Sequence, residues 1–234
     1  MVRAKIICTI GPASSTETVL RKMMLAGMDV ARFNFSHASH FDHLQRIKLI
    51  RELNKKYRRH IRILQDLEGY RIRVGKFKGQ KAIELKKRQI LVLTNEKILG
   101  DQRIIPFDYE GTLKDIKPGN RIYIDDGNIG LRVKNSSKRY LKAEVVIPGI
   151  LKENKGINLP DINLKFKGLT EKDKEDINFG IRNKVDFIAQ SFVRDRCDIL
   201  LIRKLIKGRL DDCKIIAKIE NRQGIRNSDE IIEV

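Results

Sequence analysis

The sequence has no tryptophan, only five tyrosines and only nine phenylalanines among its 234 residues, so it offers few aromatic platforms on which unpaired bases could stack. Cysteine is scarce as well. Cys8, Cys197 and Cys213 are scattered and odd in number, with no metal-ligand spacing. That argues against a disulfide framework or a zinc site and fits a reducing cytoplasm. No apolar run approaches the roughly 20 residues that a membrane-spanning helix needs. The opening Met1-Val2-Arg3-Ala4-Lys5 lacks the apolar stretch and small-residue cleavage site of a signal peptide. Carboxylates are the remaining shortage: 30 Asp and Glu face 49 Lys and Arg, a net charge of +19. Such a surplus either attracts polyanions, nucleic acid or phosphorylated metabolites, or dresses a solvated surface. No nucleic-acid-binding motif accompanies it, so nucleic acid is not the expected partner.

What is present is organised in three stretches. Residues 4–10 form a short apolar segment closed by Gly11-Pro12, and Ser14 with Glu17 gives a capping-box signal for a helix running to about Ala26. Residues 29–35 read as a second strand. Residues 39–58 read as a helix with an apolar stripe of Phe41, Leu44, Ile47, Leu49 and Ile50, and residues 61–66 as a third strand. Strand–helix alternation of this kind predicts a parallel sheet or an α/β barrel. From about Tyr70 to Phe166 the helical period disappears. Short alternating runs are broken by Lys78-Gly79, Pro118-Gly119, Asp126-Gly127 and Pro148-Gly149, and Asp126-Gly127 is placed to turn a hairpin. Alternation resumes at Thr170, an N-cap with Asp173 behind it. The expected division is therefore 1–69, an all-β insertion over 70–166, and 167–234. The α/β body supplies five strands, fewer than the eight of a closed barrel.

Three places carry chemistry. Side chains alternate across a strand, so in Arg32-Phe33-Asn34-Phe35-Ser36 the three polar residues share one face and both phenylalanines the other, and His37 follows at once. Barrel active sites gather at the C-terminal ends of strands, which is where this pattern falls. Lys218-Ile219-Glu220 repeats the logic: a cation and a carboxylate share a face at a strand end, a pairing that suits phosphoryl transfer and also reads as a structural ion pair. Asp66 ends the third strand and, taken alone, reads as a turn carboxylate.

The order of motifs resembles the pyruvate kinase family. Lys5-Ile6-Ile7-Cys8-Thr9-Ile10-Gly11-Pro12-Ala13-Ser14 looks like its opening strand, and Ala26-Gly27-Met28-Asp29-Val30-Ala31-Arg32-Phe33-Asn34-Phe35-Ser36-His37 like its second. Asp66-Leu67-Glu68-Gly69-Tyr70-Arg71-Ile72-Arg73, Ile124-Asp125-Asp126-Gly127 and Lys155-Gly156-Ile157-Asn158-Leu159-Pro160 follow in the family's order. So do Leu169-Thr170-Glu171-Lys172-Asp173, Ala189-Gln190-Ser191-Phe192-Val193-Arg194 and Lys218-Ile219-Glu220-Asn221. The resemblance implies a partial TIM (β/α) barrel interrupted by an all-β lid domain, and transfer of phosphate from phosphoenolpyruvate to ADP in glycolysis. It implies that Arg32 contacts the transferring phosphate and that Lys218 stabilises developing charge. Glu220 would bind magnesium, and Asn34, Ser36 and Asp66 would match monovalent-cation ligands. His37, Arg73 and Lys155 would match nucleotide-side positions, with Lys155 delivered by closure of the lid.

Two departures qualify the expectation. The family's Pro is replaced by Tyr70 and the next residue is Arg71, a fixed cation where family members carry Glu with potassium dependence or Lys without it. Arg71 is therefore expected to substitute for potassium. The chain also stops at Val234, before the family's Ala-Arg-Gly-Asp strand with its second magnesium ligand. A homo-oligomer or a complementing C-terminal part is expected to complete the sheet. The competing reading is a truncated, non-catalytic module that binds phosphorylated metabolites or nucleotides. A basic nucleic-acid-binding protein is a third, resting on charge alone.

Overall fold

In the computed structural model, which describes residues 4–79, 82–160, 162 and 168–234, the first stretch alternates as its sequence requires. It contains β1 (Ile7–Thr9), α1 (Glu17–Leu25), β2 (Val30–Asn34), α2 (His40–Tyr57) and β3 (Arg62–Asp66). The cap of α1 is Thr16, whose hydroxyl accepts from the Val19 amide at 3.4 Å. Ser14 instead ends a single 3₁₀ turn, Pro12–Ser14, and its hydroxyl accepts from the Gly11 amide at 2.9 Å. The capping box expected at Ser14 thus closes the preceding turn, because Pro12 directs the chain into it first. Ser39 and Asp42 cap α2 reciprocally. Its buried stripe is His43, Ile47, Ile50 and Leu53. Phe41, expected in that stripe, is 68% exposed, since it lies in the first turn on the outward side.

The middle stretch holds β4 (Ile72–Arg73), β5 (Ala82–Leu85), β6 (Ile90–Thr94), β7 (Ile104–Pro106), β8 (Arg121–Ile124), β9 (Ile129–Ser136), β10 (Tyr140–Ile147), β11 (Gly149–Lys152) and β12 (Gly156–Asn158). The last holds α3 (Glu171–Arg182), β13 (Phe187–Gln190), α4 (Arg196–Ile206), β14 (Lys214–Ala217), α5 (Arg222–Arg226) and α6 (Ser228–Ile232). Two compact units result, residues 1–70 with 168–234, and residues 71–167. Residues 1–3, on which the N-terminal reading partly rests, and the expected boundary at 166–167 lie outside the described residues.

The first unit is α/β, as the alternation predicts. Its five strands pair in parallel in the order β1-β2-β3-β13-β14, the arrangement of a half-barrel. One face carries Ala31, Phe33, Ile63 and Ile188 beneath the helices, packed with Leu20, Ile47, Ile50, Leu53, Ile177 and Ile202. The opposite face carries a smaller apolar cluster, Val30, Leu64 and Ala189, with Phe187 and Ile216 against it. Two residues further along the same face of each strand, polar side chains replace apolar ones. The sheet thus delivers Arg32, Asp66, Ser191 and Lys218 to one end of one face.

Among its described residues, the second unit is all-β apart from a 3₁₀ turn at Leu113–Asp115. Seven strands run β4-β12-β8-β9-β10-β6-β7, and β5 pairs separately with β11. The expected hairpin joins β8 to β9, antiparallel. Its turn places Asp125, Asp126 and Gly127 in succession at φ 54°, 55° and 95°, a left-handed run that Asp tolerates and Gly favours. No helix among the described residues is long and apolar enough to cross a membrane.

Candidate active site

Asp66 is the centre of the site in the first unit. Its side chain is 3% exposed and β3 holds it in register with Asn34 on one side and β13 with Ala189 on the other. The carboxylate accepts from Arg32 Nε at 2.7 Å and lies 2.6 Å from Arg32 Nη2. From the other side Lys218 Nζ approaches Oδ1 at 3.2 Å and Oδ2 at 3.4 Å. One buried carboxylate therefore holds two cations whose outer faces stay open, the side chains of Arg32 and Lys218 being 32% and 29% exposed. A buried charge is tolerated only with such partners.

Each cation has a further tether. Arg32 Nη1 donates to Thr9 Oγ1 at 2.6 Å, across the β1–β2 pair. Lys218 Nζ donates to Ser191 Oγ at 2.8 Å, and that hydroxyl donates to the Leu67 carbonyl at 2.8 Å. Ser191 and Thr9 were not singled out by sequence reasoning. Each sits inside a quoted motif; the signal available for Ser191 was the alternation that puts it in line with Ala189, whereas Thr9 comes beside Arg32 only through the pairing of β1 with β2. Glu220 Oε1 lies 3.5 Å from Lys218 Nζ, and Oε2 accepts from the Phe192 amide at 3.0 Å. Phe192 holds φ 57°, a conformation uncommon for an aromatic residue, which turns its N–H towards Glu220.

The remaining residues named from sequence fall in two groups. In the first unit, Asn34 Oδ1 accepts from the Ser36 amide at 3.0 Å. The His37 amide donates to the Asn34 carbonyl at 3.2 Å, and the His37 side chain is exposed. In the second unit, Lys155 Nζ pairs with Asp125 Oδ1 at 2.7 Å, and this bond, ahead of other causes, holds the Asp125 carboxyl below the usual range. Arg71 Nη2 reaches Asp126 Oδ1 at 3.3 Å. A Cβ on Gly156 would stand 2.5 Å from Arg71 Nε, so the bare glycine gives the guanidinium its seat. Arg73 donates from its amide to Asp108 and from Nη1 to the Asn154 carbonyl at 3.2 Å. The two adjacent turn aspartates thus hold Lys155 and Arg71 separately.

No group of three or more His, Cys, Asp or Glu able to hold a metal occurs among the described residues. A hard dication that keeps several waters and substrate oxygens needs only one or two protein carboxylates. Glu220, with a side chain 36% exposed, fits that requirement, whereas Asp66 is engaged by Arg32 and Lys218.

The family model described as pyruvate kinase, barrel domain, matches residues 1–234. The chain is 42% identical over 236 aligned positions to a pyruvate kinase of Staphylococcus epidermidis and to one of Staphylococcus aureus strain MRSA252, in each case across 100% of this chain and 40% of the relative. It therefore spans well under half the length of these curated relatives.

Proposed function

The chain belongs to the pyruvate kinase family, and on that premise we propose that it carries the phosphoryl-binding half of a site that transfers phosphate between phosphoenolpyruvate and ADP. The observation that supports this most is the pair of open cations, Arg32 and Lys218, held on the single buried carboxylate of Asp66 at the C-terminal end of parallel strands. In the reaction the bond from phosphorus to the enol oxygen breaks and one to the ADP terminal oxygen forms. The enolate then takes a proton at carbon to give pyruvate.

The protein's part is positioning and charge. Arg32, fixed by Asp66 and Thr9, presents its remaining donors to phosphoryl oxygens. Lys218, fixed by Asp66 and Ser191, meets the negative charge that shifts towards the enolate oxygen. Both cations are set before substrate arrives, so little reorganisation is needed as charge moves. Glu220 would hold magnesium, which when bound offsets the charge of phosphoryl oxygens. Asn34, Ser36 and Asp66 are proposed as the monovalent-cation position, with Arg71 supplying the charge that potassium would otherwise bring. His37, Arg73 and Lys155 are proposed on the nucleotide side. A cytoplasmic setting, glycolytic use and a homo-oligomer or complementing C-terminal part belong to the same proposal.

The test is pyruvate formation by the 234-residue chain from phosphoenolpyruvate, ADP and magnesium, with Lys218→Met as control. Turnover that disappears in the variant supports the transfer reading. Saturable phosphoenolpyruvate binding without turnover would instead favour a non-catalytic binding module. That second reading draws on Glu220 standing, among the described residues, outside any group of three or more His, Cys, Asp or Glu able to hold a metal. Neither binding nor turnover would overturn both.

A further inference from the structure

A second cationic cleft lies on the helical side of the first unit, across the sheet from Arg32 and Lys218. It has a volume of about 370 Å³ and is lined by His40, Glu175, Asn178, Arg182 and Arg209. Ligand pockets run from about 300 to 1,000 Å³, so a small metabolite fits.

Arg209 is held in place. Its Nη2 donates to Asn178 Oδ1 at 3.0 Å and Nη1 to the Leu205 carbonyl at 3.5 Å. Asn178 is itself fixed, because its amide donates to the Lys174 carbonyl at 3.0 Å. The turn carrying Arg209 is set by Gly208 at φ 70°, whose amide donates to Asp211 Oδ1 at 2.7 Å. His40 packs on Phe179 with ring centroids 4.7 Å apart, and its Nε2 lies 2.6 Å from Asp176 Oδ1.

Apart from Glu175, which lines the cleft itself, the carboxylates named next are engaged elsewhere. Asp176 takes His40 and Lys172, Glu171 takes Lys174, and Asp211 caps Gly208. Among the described residues neither Arg182 nor Arg209 has a carboxylate within ion-pair distance. Two uncompensated guanidinium forks, one of them pinned, therefore open on a single cleft. That is the donor geometry that phosphate oxygens match best. Glu175 adds a selection rule: its carboxylate repels a second anionic group and accepts from hydroxyls. We propose that this cleft binds the phosphoryl group of a small phosphate monoester whose other polar groups are hydroxyls, at a site separate from the one built on Asp66.

The test follows amide resonances of the ¹⁵N-labelled chain while inorganic phosphate and glycerol 1-phosphate are titrated separately at constant ionic strength. Saturable shifts confined to residues near 178–182 and 208–210 are expected, distinct from any near 32, 66 and 218. Arg182→Gln/Arg209→Gln should weaken binding at the cleft about tenfold or more, with the circular dichroism spectrum retained. Asn178→Ala, which frees Arg209 without removing charge, should weaken it less. Saturation by both ligands, or by the monoester alone, supports the site. Shifts that rise linearly without saturating, or affinity unchanged in the double variant, would mean that Arg182 merely complements the C-terminal end of α3 and would overturn the proposal.

Discussion

Lys218 and Asp66 stand 152 positions apart in the chain and meet at 3.2 Å, with Arg32 closing on the same carboxylate from the opposite side. The arrangement makes Asp66 a hub: without it, two cations would face each other across a nearly buried gap.

Asp66→Asn should therefore lower stability as well as alter the site. Breaking a fully buried pair costs about 3–5 kcal/mol, and the partial exposure of both cations reduces that to about 1–3 kcal/mol. Urea denaturation of the variant against the parent chain measures it. A change within about 0.5 kcal/mol, the range of an ordinary surface substitution, would mean that solvent already screens the two cations.

Gly69 packs closely against Ser191. Its φ is 67°, and an added Cβ would lie 2.8 Å from the Ser191 carbonyl oxygen. Gly69→Ala should cost about 1–3 kcal/mol through left-handed strain and contact with Ser191. It should also disturb the serine that tethers Lys218. Denaturant midpoints of the two proteins would show it, and equal midpoints would contradict the tight approach.

His43 gives the first unit a pH dependence. Burial, above all, holds its imidazole below the ordinary value of 6.5. Nε2 lies 2.9 Å from the His37 carbonyl, and the buried Nδ1 has no partner to accept a proton's hydrogen bond. Arg46 and His40 oppose the charged form, while Asp176 favours it. As pH falls through 6.5 the unfolded chain gains a proton that the folded chain does not. Stability should then fall, by at most about 1.4 kcal/mol per pH unit. Unfolding free energies at pH 7.5 and 5.5 should differ more in the parent chain than in His43→Gln. An equal difference would show that His43 takes up its proton alike in both states.

Much of this framework can be read in the sequence, and the limits have physical causes. The alternation in Arg32-Phe33-Asn34-Phe35-Ser36 predicts which side chains leave the core, and the structure places Phe33 and Phe35 inside it. Thr170 with Asp173 caps α3 as read. The Arg32–Asp66–Lys218 contact is not visible from spacing, because strand neighbours in a parallel sheet are chosen by chain topology across the whole insertion. Lys155–Asp125 and Arg71–Asp126 are hidden for a similar reason. The turn that carries both aspartates is legible, but the strands brought against it are not. Ser14 misleads as a cap because its local signal serves the preceding 3₁₀ turn equally well.

Arg71 bears on cation dependence. Its guanidinium sits against Gly156 and near Asp126, and it is proposed to supply the charge that potassium would otherwise bring. Turnover should change less than twofold when potassium replaces a large organic cation at equal ionic strength. Stimulation of several-fold or more would show that Arg71 does not substitute for potassium.

Arg32 and Lys218, set by Asp66, are proposed to receive a phosphoryl group. The most direct measurement is calorimetric titration of phosphoenolpyruvate with magnesium into the chain and into Arg32→Met and Lys218→Met. Saturable binding weakened about tenfold or more in each variant is the predicted result, given the worth of a hydrogen bond to a charged group. Absence of saturable binding, or an affinity indifferent to both substitutions, would contradict it.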